Sequence, residues 1–144
     1  MSTLRVVPDT NIFISAHLSD NPKSPSQELL QRWKDEEFTL LFSWTTLAEY
    51  ERKLLEKGAS PEKVIRFLAL IIKRGEEVSV EHFHFRIYPP DPDDIAFLLC
   101  AINGKATHLV THDHHLLGIA SFYQKLVKIC RPIPCLKDLR KSPQ

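Results

Sequence analysis

Residues 4–11 read LRVVPDTN, a short apolar run that ends abruptly in three polar residues. The run predicts a buried strand at residues 4–8, and the helical pattern of residues 11–18 predicts a helix directly after it. Asp9 therefore stands at the carboxyl end of a strand, where ligands collect in an open parallel α/β sheet. The competing interpretation is that Asp9 or Thr10 only caps the helix.

Strands alternate with helices along the rest of the chain. The apolar pattern predicts further strands at residues 38–42, 107–111 and 127–130, and a short one near residues 78–80. Helices are predicted between them, at residues 26–36, from about 45 to 57, 61–74, 93–103 and 115–120, with a terminal turn or short helix at 134–141. This order indicates βαβ units and a mostly parallel sheet covered on both faces.

Length and composition are those of an ordinary globular domain. The chain has 144 residues and a formal net charge of +1, so any nucleic-acid site must be a local patch. Cys100, Cys130 and Cys135 lack metal-ligand spacing, and free buried thiols are expected instead of a disulfide scaffold. The start of the chain carries no secretory signal pattern. The longest apolar run, at residues 95–102, is too short to span a membrane, so we expect a soluble, cytoplasmic protein.

Acidic residues recur where strands end or helices begin. Two of them, Asp9 and Asp113, follow predicted strands of one parallel sheet and should meet at its carboxyl edge. The other acids lie on the helix after the second strand and at the start of the apolar helix; they are Glu49, Asp91, Asp93 and Asp94. Converging carboxylates repel each other unless a cation relieves them, and oxygen ligands favour Mg²⁺ or Mn²⁺. Such ions support attack on phosphodiesters.

Four short motifs together resemble a PIN domain. They are DTN at residues 9–11, LAEY at 47–50, DPDD at 91–94 and LVTHD at 109–113. More narrowly, the chain resembles the PIN-type toxins of bacterial and archaeal toxin–antitoxin pairs, from about residue 4 to residue 131. The resemblance implies one domain over residues 1–144, with a C-terminal tail at 132–144. It also implies a three-layer α/β/α sandwich with a parallel sheet of about five strands.

The resemblance further implies a metal-dependent endoribonuclease that uses Mg²⁺ or Mn²⁺. Its metal ligands and catalytic acids would be Asp9, Asp94 and Asp113, with Glu49 binding directly or through water. Supporting hydrogen bonds would come from Thr10, Asn11 and Thr111, and Asp91 and Asp93 are further candidates for a supporting role. The implied partners are an RNA substrate, a cognate antitoxin and a second copy in a homodimer, and the implied outcome is inhibition of translation.

Several of these acids have a purely structural alternative. Asp91 precedes a proline and is favoured as a helix N-cap, although it is also close enough in sequence to reach the site. Asp93 reads as a solvated acid of the first helical turn. Asp94 fits a capping box, and Glu49 fits an ion pair with Lys53 one turn later. The choice among the aspartates at 91, 93 and 94 stays open at this stage.

Five histidines are candidates for the rim of the site. His112, His114 and His115 bracket Asp113, and His82 and His84 lie in a loop-like stretch; all are expected at the rim, where His112 or His114 could contact a phosphate.

A phospho-acceptor signalling module is disfavoured, because only one acid follows the first strand. A catalytically silent RNA- or protein-binding module, and an RNA-processing nuclease outside toxin–antitoxin systems, remain the alternative functions.

Overall fold

A five-stranded parallel sheet forms the centre of the molecule. The computed structural model describes residues 4–18, 21, 23–81 and 87–141. The strands lie in the order β3-β2-β1-β4-β5, and every neighbouring pair is parallel. Their bounds are β1 Arg5–Pro8, β2 Thr39–Phe42, β3 Glu76–Glu77, β4 His108–Val110 and β5 Lys128–Cys130.

Helices cover the sheet, and a 3₁₀ turn at Pro92–Asp94 leads into the most apolar of them. The helices are α1 Thr10–Leu18, α2 Pro25–Lys34, α3 Trp44–Glu56, α4 Pro61–Arg74, α5 Ile95–Asn103, α6 His114–Leu117, α7 Ala120–Tyr123 and α8 Pro132–Lys141. The central helix α5 contacts β1, β2 and β4, whereas α7 packs on β5 at one edge of the sheet. The predicted three-layer α/β/α sandwich with about five parallel strands is confirmed.

Three elements differ from the sequence prediction. The prediction of a strand near residues 78–80 is wrong. The strand here, β3, consists of Glu76 and Glu77, which pair with Leu41 and Phe42 of β2. The predicted helix at 115–120 is two short helices, α6 and α7. The terminal element is a ten-residue helix, α8, that begins at Pro132 and contacts α2 and β4.

Helix α3 fixes the end of the central strand. Its N-terminus is held by a capping box, in which the side chains of Ser43 and Thr46 each accept a hydrogen bond from the other residue's backbone N–H. One turn later, the fully buried Tyr50 donates a hydrogen bond from its hydroxyl to the Pro8 carbonyl, at 2.5 Å. Its ring packs edge-on against Phe13 of α1, with centroids 4.8 Å apart. The first turns of α3 therefore lie beside the carboxyl end of β1.

The three cysteines are free and buried, as expected from their spacing. Within the described part of the chain, no helix combines the length and the apolar character needed to cross a bilayer.

Candidate active site

The carboxyl ends of β1 and β4 bring two of the predicted acids to one edge of the sheet. Pro8 is in register with Val110, and the backbone N–H of Asp9 donates to the Val110 carbonyl at 2.9 Å. Thr111 and Asp113 therefore follow β4 beside the residue that follows β1. The parallel register alone produces this pairing, as the positions of the polar residues after each apolar run predicted.

Asp9 is buried and held from two directions. Its side chain is only 3% exposed, and one carboxylate oxygen accepts a hydrogen bond from the Thr111 hydroxyl. The other oxygen accepts the backbone N–H of Asn11 at 2.9 Å, while the Asn11 residue itself is exposed. Burial raises the pKa of Asp9 to about 6, against the opposing effect of these hydrogen bonds. The carboxylate is thus fixed in position, and it takes up a proton at a higher pH than an exposed aspartate does.

Asp91, Asp94 and Asp113 form a tighter group. One oxygen from each of the three carboxylates lies within 4.8 Å of the other two. Asp94 is 6% exposed, and its Oδ2 atom is buried without a hydrogen-bond partner among the described residues. The buried hydroxyl of Thr10 is likewise without a partner in that part of the chain. A buried polar atom without a partner is costly, so this arrangement fits a site that binds a cation.

The pKa values of Asp94 and Asp113 move in opposite directions. Burial raises the pKa of Asp94 to about 8, and the neighbouring Asp113 adds to the effect by hydrogen bonding and repulsion. Burial also acts to raise the pKa of Asp113, but hydrogen bonds from Asp94 and from the His115 backbone outweigh it, and that pKa lies below its usual value. Close carboxyl groups cannot both ionise easily, and the more buried Asp94 holds a proton more readily than Asp113 does.

The structural alternatives for Asp91 and Asp94 separate clearly. Asp91 does cap the 3₁₀ turn, because its Oδ1 accepts the backbone N–H of Asp93 at 3.0 Å, yet its carboxylate also belongs to the group of three. Among the described contacts, the Asp94 side chain does not accept the backbone N–H of Asp91, which a capping box requires. The capping-box interpretation of Asp94 is therefore wrong, and capping and cluster membership coexist at Asp91.

Glu49 and Asp93 are bound to an arginine. Arg52 donates to Glu49 at 2.8 Å and to Asp93 at 3.0 Å through the same terminal nitrogen, and Lys53 lies 3.7 Å from Asp93. The ion pair expected between Glu49 and Lys53 is replaced by the pair with Arg52, three residues along α3. Asp93 has a side chain 45% exposed, which agrees with a solvated acid of the first turn.

All six acids nevertheless line one cavity of about 60 Å³, here called the acidic cavity, together with Thr10, Asn11, Lys53 and Phe97. A cavity of this size, lined by several carboxylate oxygens, suits a small divalent cation and its water ligands. Sequence reasoning did not find the part played by Arg52. The signal was available, since an arginine three residues after a candidate ligand lies on the same helical face.

His112, His114 and His115 have different neighbours, and none of these three lines the acidic cavity. His112 is hydrogen-bonded to the Ser26 hydroxyl at 3.2 Å, and burial, with Arg131 nearby, lowers its pKa. His115 has its Nδ1 atom 3.6 Å from Asp113, and its ring packs against that of His114 with centroids 4.2 Å apart. His82 and His84 lie outside the described residues. The proposed phosphate contact of His112 or His114 stays a prediction.

Thr111 links two acids of the cavity, and its removal should be costly. Its hydroxyl donates to Asp9 and accepts the Asp113 backbone N–H at 2.8 Å, in a position with no exposure. Thr111→Val keeps the shape and removes both hydrogen bonds. We expect a loss of about 2 kcal/mol of unfolding free energy and roughly tenfold weaker Mn²⁺ binding. Urea unfolding and Mn²⁺ titration measure the two effects.

Thr111→Ser is the matched control, since it retains the hydroxyl. It should keep Mn²⁺ affinity within about threefold of the wild-type value. Equal Mn²⁺ affinity in the valine and wild-type proteins would contradict a role of Thr111 in holding Asp9.

Comparisons with known proteins agree with this architecture. A family model of the PIN domain matches residues 5–115. The chain resembles the structure of VapBC2 from Rickettsia felis bound to a DNA fragment from their promoter, with 16% identity, a TM-score of 0.52, and coverage of 88% of this chain and 98% of that chain. It also resembles FitAB bound to an IR36 DNA fragment, with 18% identity, a TM-score of 0.53, and coverage of 88% and 94%. No curated protein sequence matches the chain.

Proposed function

Because this chain belongs to the PIN domain family, whose members are generally nucleases, we propose that it is a metal-dependent endoribonuclease. The observation that carries the proposal is the Oδ2 atom of Asp94, buried without a partner beside the carboxylates of Asp91 and Asp113. A protein retains a desolvated acid of this kind at a functional site more readily than elsewhere. The donor set consists of oxygen atoms, as Mg²⁺ and Mn²⁺ prefer.

Asp9, Asp94 and Asp113 would hold the cation, with Glu49 at the side of the cavity and Asp91 as a further donor. When bound, a divalent cation activates water and offsets the negative charge that develops on the phosphodiester. The chain's own residues prepare the site for it. Thr111 fixes Asp9, and the Asn11 backbone holds the second oxygen of that carboxylate. Asp94 would have to release its proton in order to serve as a ligand.

RNA as the substrate rests on the resemblance to PIN-type toxins. The test incubates a labelled RNA hairpin and a DNA hairpin of the same sequence with purified protein in EDTA, Mg²⁺, Mn²⁺ or Ca²⁺. Cleavage of RNA is expected in Mg²⁺ or Mn²⁺ and should be absent in EDTA and for Asp9→Asn. Cleavage of DNA alone would overturn the RNA assignment. Metal-independent cleavage, or RNA binding without cleavage in any metal, would overturn the nuclease proposal.

We further propose that the protein acts in the cytoplasm as the toxin of a toxin–antitoxin pair, with a cognate antitoxin as its partner. The resemblance of the four sequence motifs to PIN-type toxins supports this, as does the shared fold with VapBC2 and FitAB. Induced expression in a bacterial host should stop protein synthesis, and Asp9→Asn should not. Continued synthesis despite active ribonuclease would favour an RNA-processing role.

A second copy of the chain is the other proposed partner, and helix α4 offers a surface for it. Ile65 and Ile72 are 67% and 46% exposed and share one face with the exposed Ala69, opposite the buried face of the same helix. Glu62 at the start of this stripe and Lys73 at its end lie on the same flank. Two α4 helices packed antiparallel would place each Glu62 near the other copy's Lys73.

Charge exchange tests this dimer. Glu62→Lys and Lys73→Glu should each weaken self-association about tenfold, and the double variant should restore it, because the opposite charges then face each other again. Analytical ultracentrifugation measures the dissociation constants. Lys125→Glu, which follows α7 at the other side of the sheet, is the control. A wild-type monomer at all concentrations would overturn the homodimer, and a dimer insensitive to all the α4 variants would place the interface elsewhere.

A further inference from the structure

The acidic cavity is divided into two halves by its basic neighbours. On one side, Asp91, Asp94 and Asp113 approach one another within 4.8 Å, and no lysine or arginine of the described residues forms an ion pair with them. On the other side, Glu49 and Asp93 are both bound to Arg52. Asp9, the sixth acid of the cavity, interacts electrostatically with Asp94 and Asp113 and also forms no ion pair with a lysine or arginine of the described residues. The negative charge without a basic partner is therefore concentrated on the side of the cavity away from Glu49 and Asp93.

Arg52 lies directly beside Glu49, so its positive charge would repel a cation bound to that carboxylate. One terminal nitrogen of its guanidinium donates to Glu49 and Asp93, and the other donates to Glu56 at 3.1 Å. Three carboxylates on two elements, α3 and the 3₁₀ turn, thus hold one planar group. A single exposed ion pair contributes little to stability, but three carboxylates bound to one guanidinium fix its positive charge in place.

We propose that Arg52 neutralises the Glu49 half of the acidic cavity and thereby limits the resting protein to one divalent ion. Arg52 is a positioning residue in this role, since it acts through Glu49 and not on the reacting atoms. The inference rests on the proposed metal site. A second ion at Glu49 would have to share the carboxylate with the guanidinium, which holds its Oε2 atom, or displace it, and the fixed positive charge opposes both.

Lys53 does not substitute for Arg52. Its ammonium group lies 3.7 Å from Asp93, and it forms no ion pair with Glu49 among the described contacts. An ammonium is also a compact point charge, whereas a guanidinium binds several carboxylates at once with a fixed geometry. The control of the Glu49 side is therefore specific to position 52.

Counting bound Mn²⁺ tests the inference without any activity measurement. Metal-free protein is titrated with Mn²⁺, and the free ion is followed by its electron paramagnetic resonance signal. Wild type should bind one ion over the Mn²⁺ concentrations of the titration, and Arg52→Gln should bind two. The affinity of the second site should be at least about tenfold higher in Arg52→Gln than in wild type. Glu49→Gln added to Arg52→Gln should return the count to one, which a merely structural role of Arg52 does not predict.

Two further variants complete the design. Arg66→Gln removes an equal charge from α4, none of whose residues lines the acidic cavity, and should leave one ion bound. Arg52→Lys retains the charge and should bind the second ion more weakly than Arg52→Gln. One ion in both wild type and Arg52→Gln, or two ions in wild type, would overturn the role of Arg52 while leaving the metal site intact. No ion in wild type would overturn the proposed metal site itself.

Discussion

Asp94→Asn is expected to lower RNA cleavage by roughly 1,000-fold or more and, at the same time, to stabilise the metal-free protein. Activity falls because, in the proposed metal site, the amide replaces a carboxylate that would bind the cation beside Asp91 and Asp113. Stability rises because Asp94 is nearly fully buried, and burial raises its pKa to about 8. At neutral pH the unfolded chain can ionise this carboxyl group freely, whereas the folded protein cannot, and this difference favours unfolding. Asparagine resembles the protonated acid and carries no charge to desolvate, which should add about 2 kcal/mol at neutral pH.

The neighbouring Asp93→Asn is the matched control. Asp93 lies one residue away in the same turn, but it is exposed and bound to Arg52. It should change cleavage by less than about fivefold and unfolding free energy by less than about 0.5 kcal/mol. Single-turnover cleavage and urea unfolding in EDTA give the two quantities. If Asp94→Asn retained cleavage, Asp94 would not be a ligand; if it destabilised the metal-free protein, its carboxylate would have an unseen stabilising partner.

Stabilisation by Mn²⁺ is expected to grow steeply with pH between about 4 and 8. Burial raises the pKa of Asp9 to about 6 and that of Asp94 to about 8, both from the ordinary 3.8. The metal-free folded protein therefore binds more protons than the unfolded chain in this window. Both groups favour the folded state below pH 3.8, and this contribution is lost as the pH rises through the two folded-state values.

A divalent cation reverses that loss, because it takes the place of the protons. Each proton released corresponds to about 1.4 kcal/mol per pH unit, so the difference between unfolding curves with Mn²⁺ and with EDTA should widen as the pH rises. Measuring the difference cancels the contribution of acids such as Glu28 and Asp138, whose pKa values are lowered by ion pairs. The same difference should be nearly flat for Asp9→Asn combined with Asp94→Asn. A pH-independent Mn²⁺ effect in wild type would contradict the proton exchange.

The part of the site that lies on the sheet could be read from sequence. Asp9 and Asp113 follow apolar runs, and the parallel order of the strands brings their ends together. The apolar helix α5 was equally clear, since it is hydrophobic on nearly every face. These predictions depend on local patterns that tertiary contacts do not alter.

Other features could not be found in this way. The edge strand β3 has two glutamates and no apolar pattern, so Val78 and Val80 suggested a strand that lies elsewhere. Val78 is in fact the residue after the strand, with its N–H donated to the Phe42 carbonyl at 2.7 Å. The choice among the aspartates at 91, 93 and 94 depends on the direction of each side chain in a 3₁₀ turn, which helical periodicity does not describe.

The hydrogen bond from Thr111 to Asp9 joins residues 102 positions apart in the chain. Its formation must await closure of a very long loop, and the central strand cannot meet β4 before then. During synthesis, the first half of the protein can emerge from the ribosome and begin to fold with only a fraction of the acidic cavity assembled. A ribonuclease of the proposed kind, built in this order, would be harmless to the message being translated until Thr111 and Asp113 had emerged from the ribosome and joined β4 to the central strand.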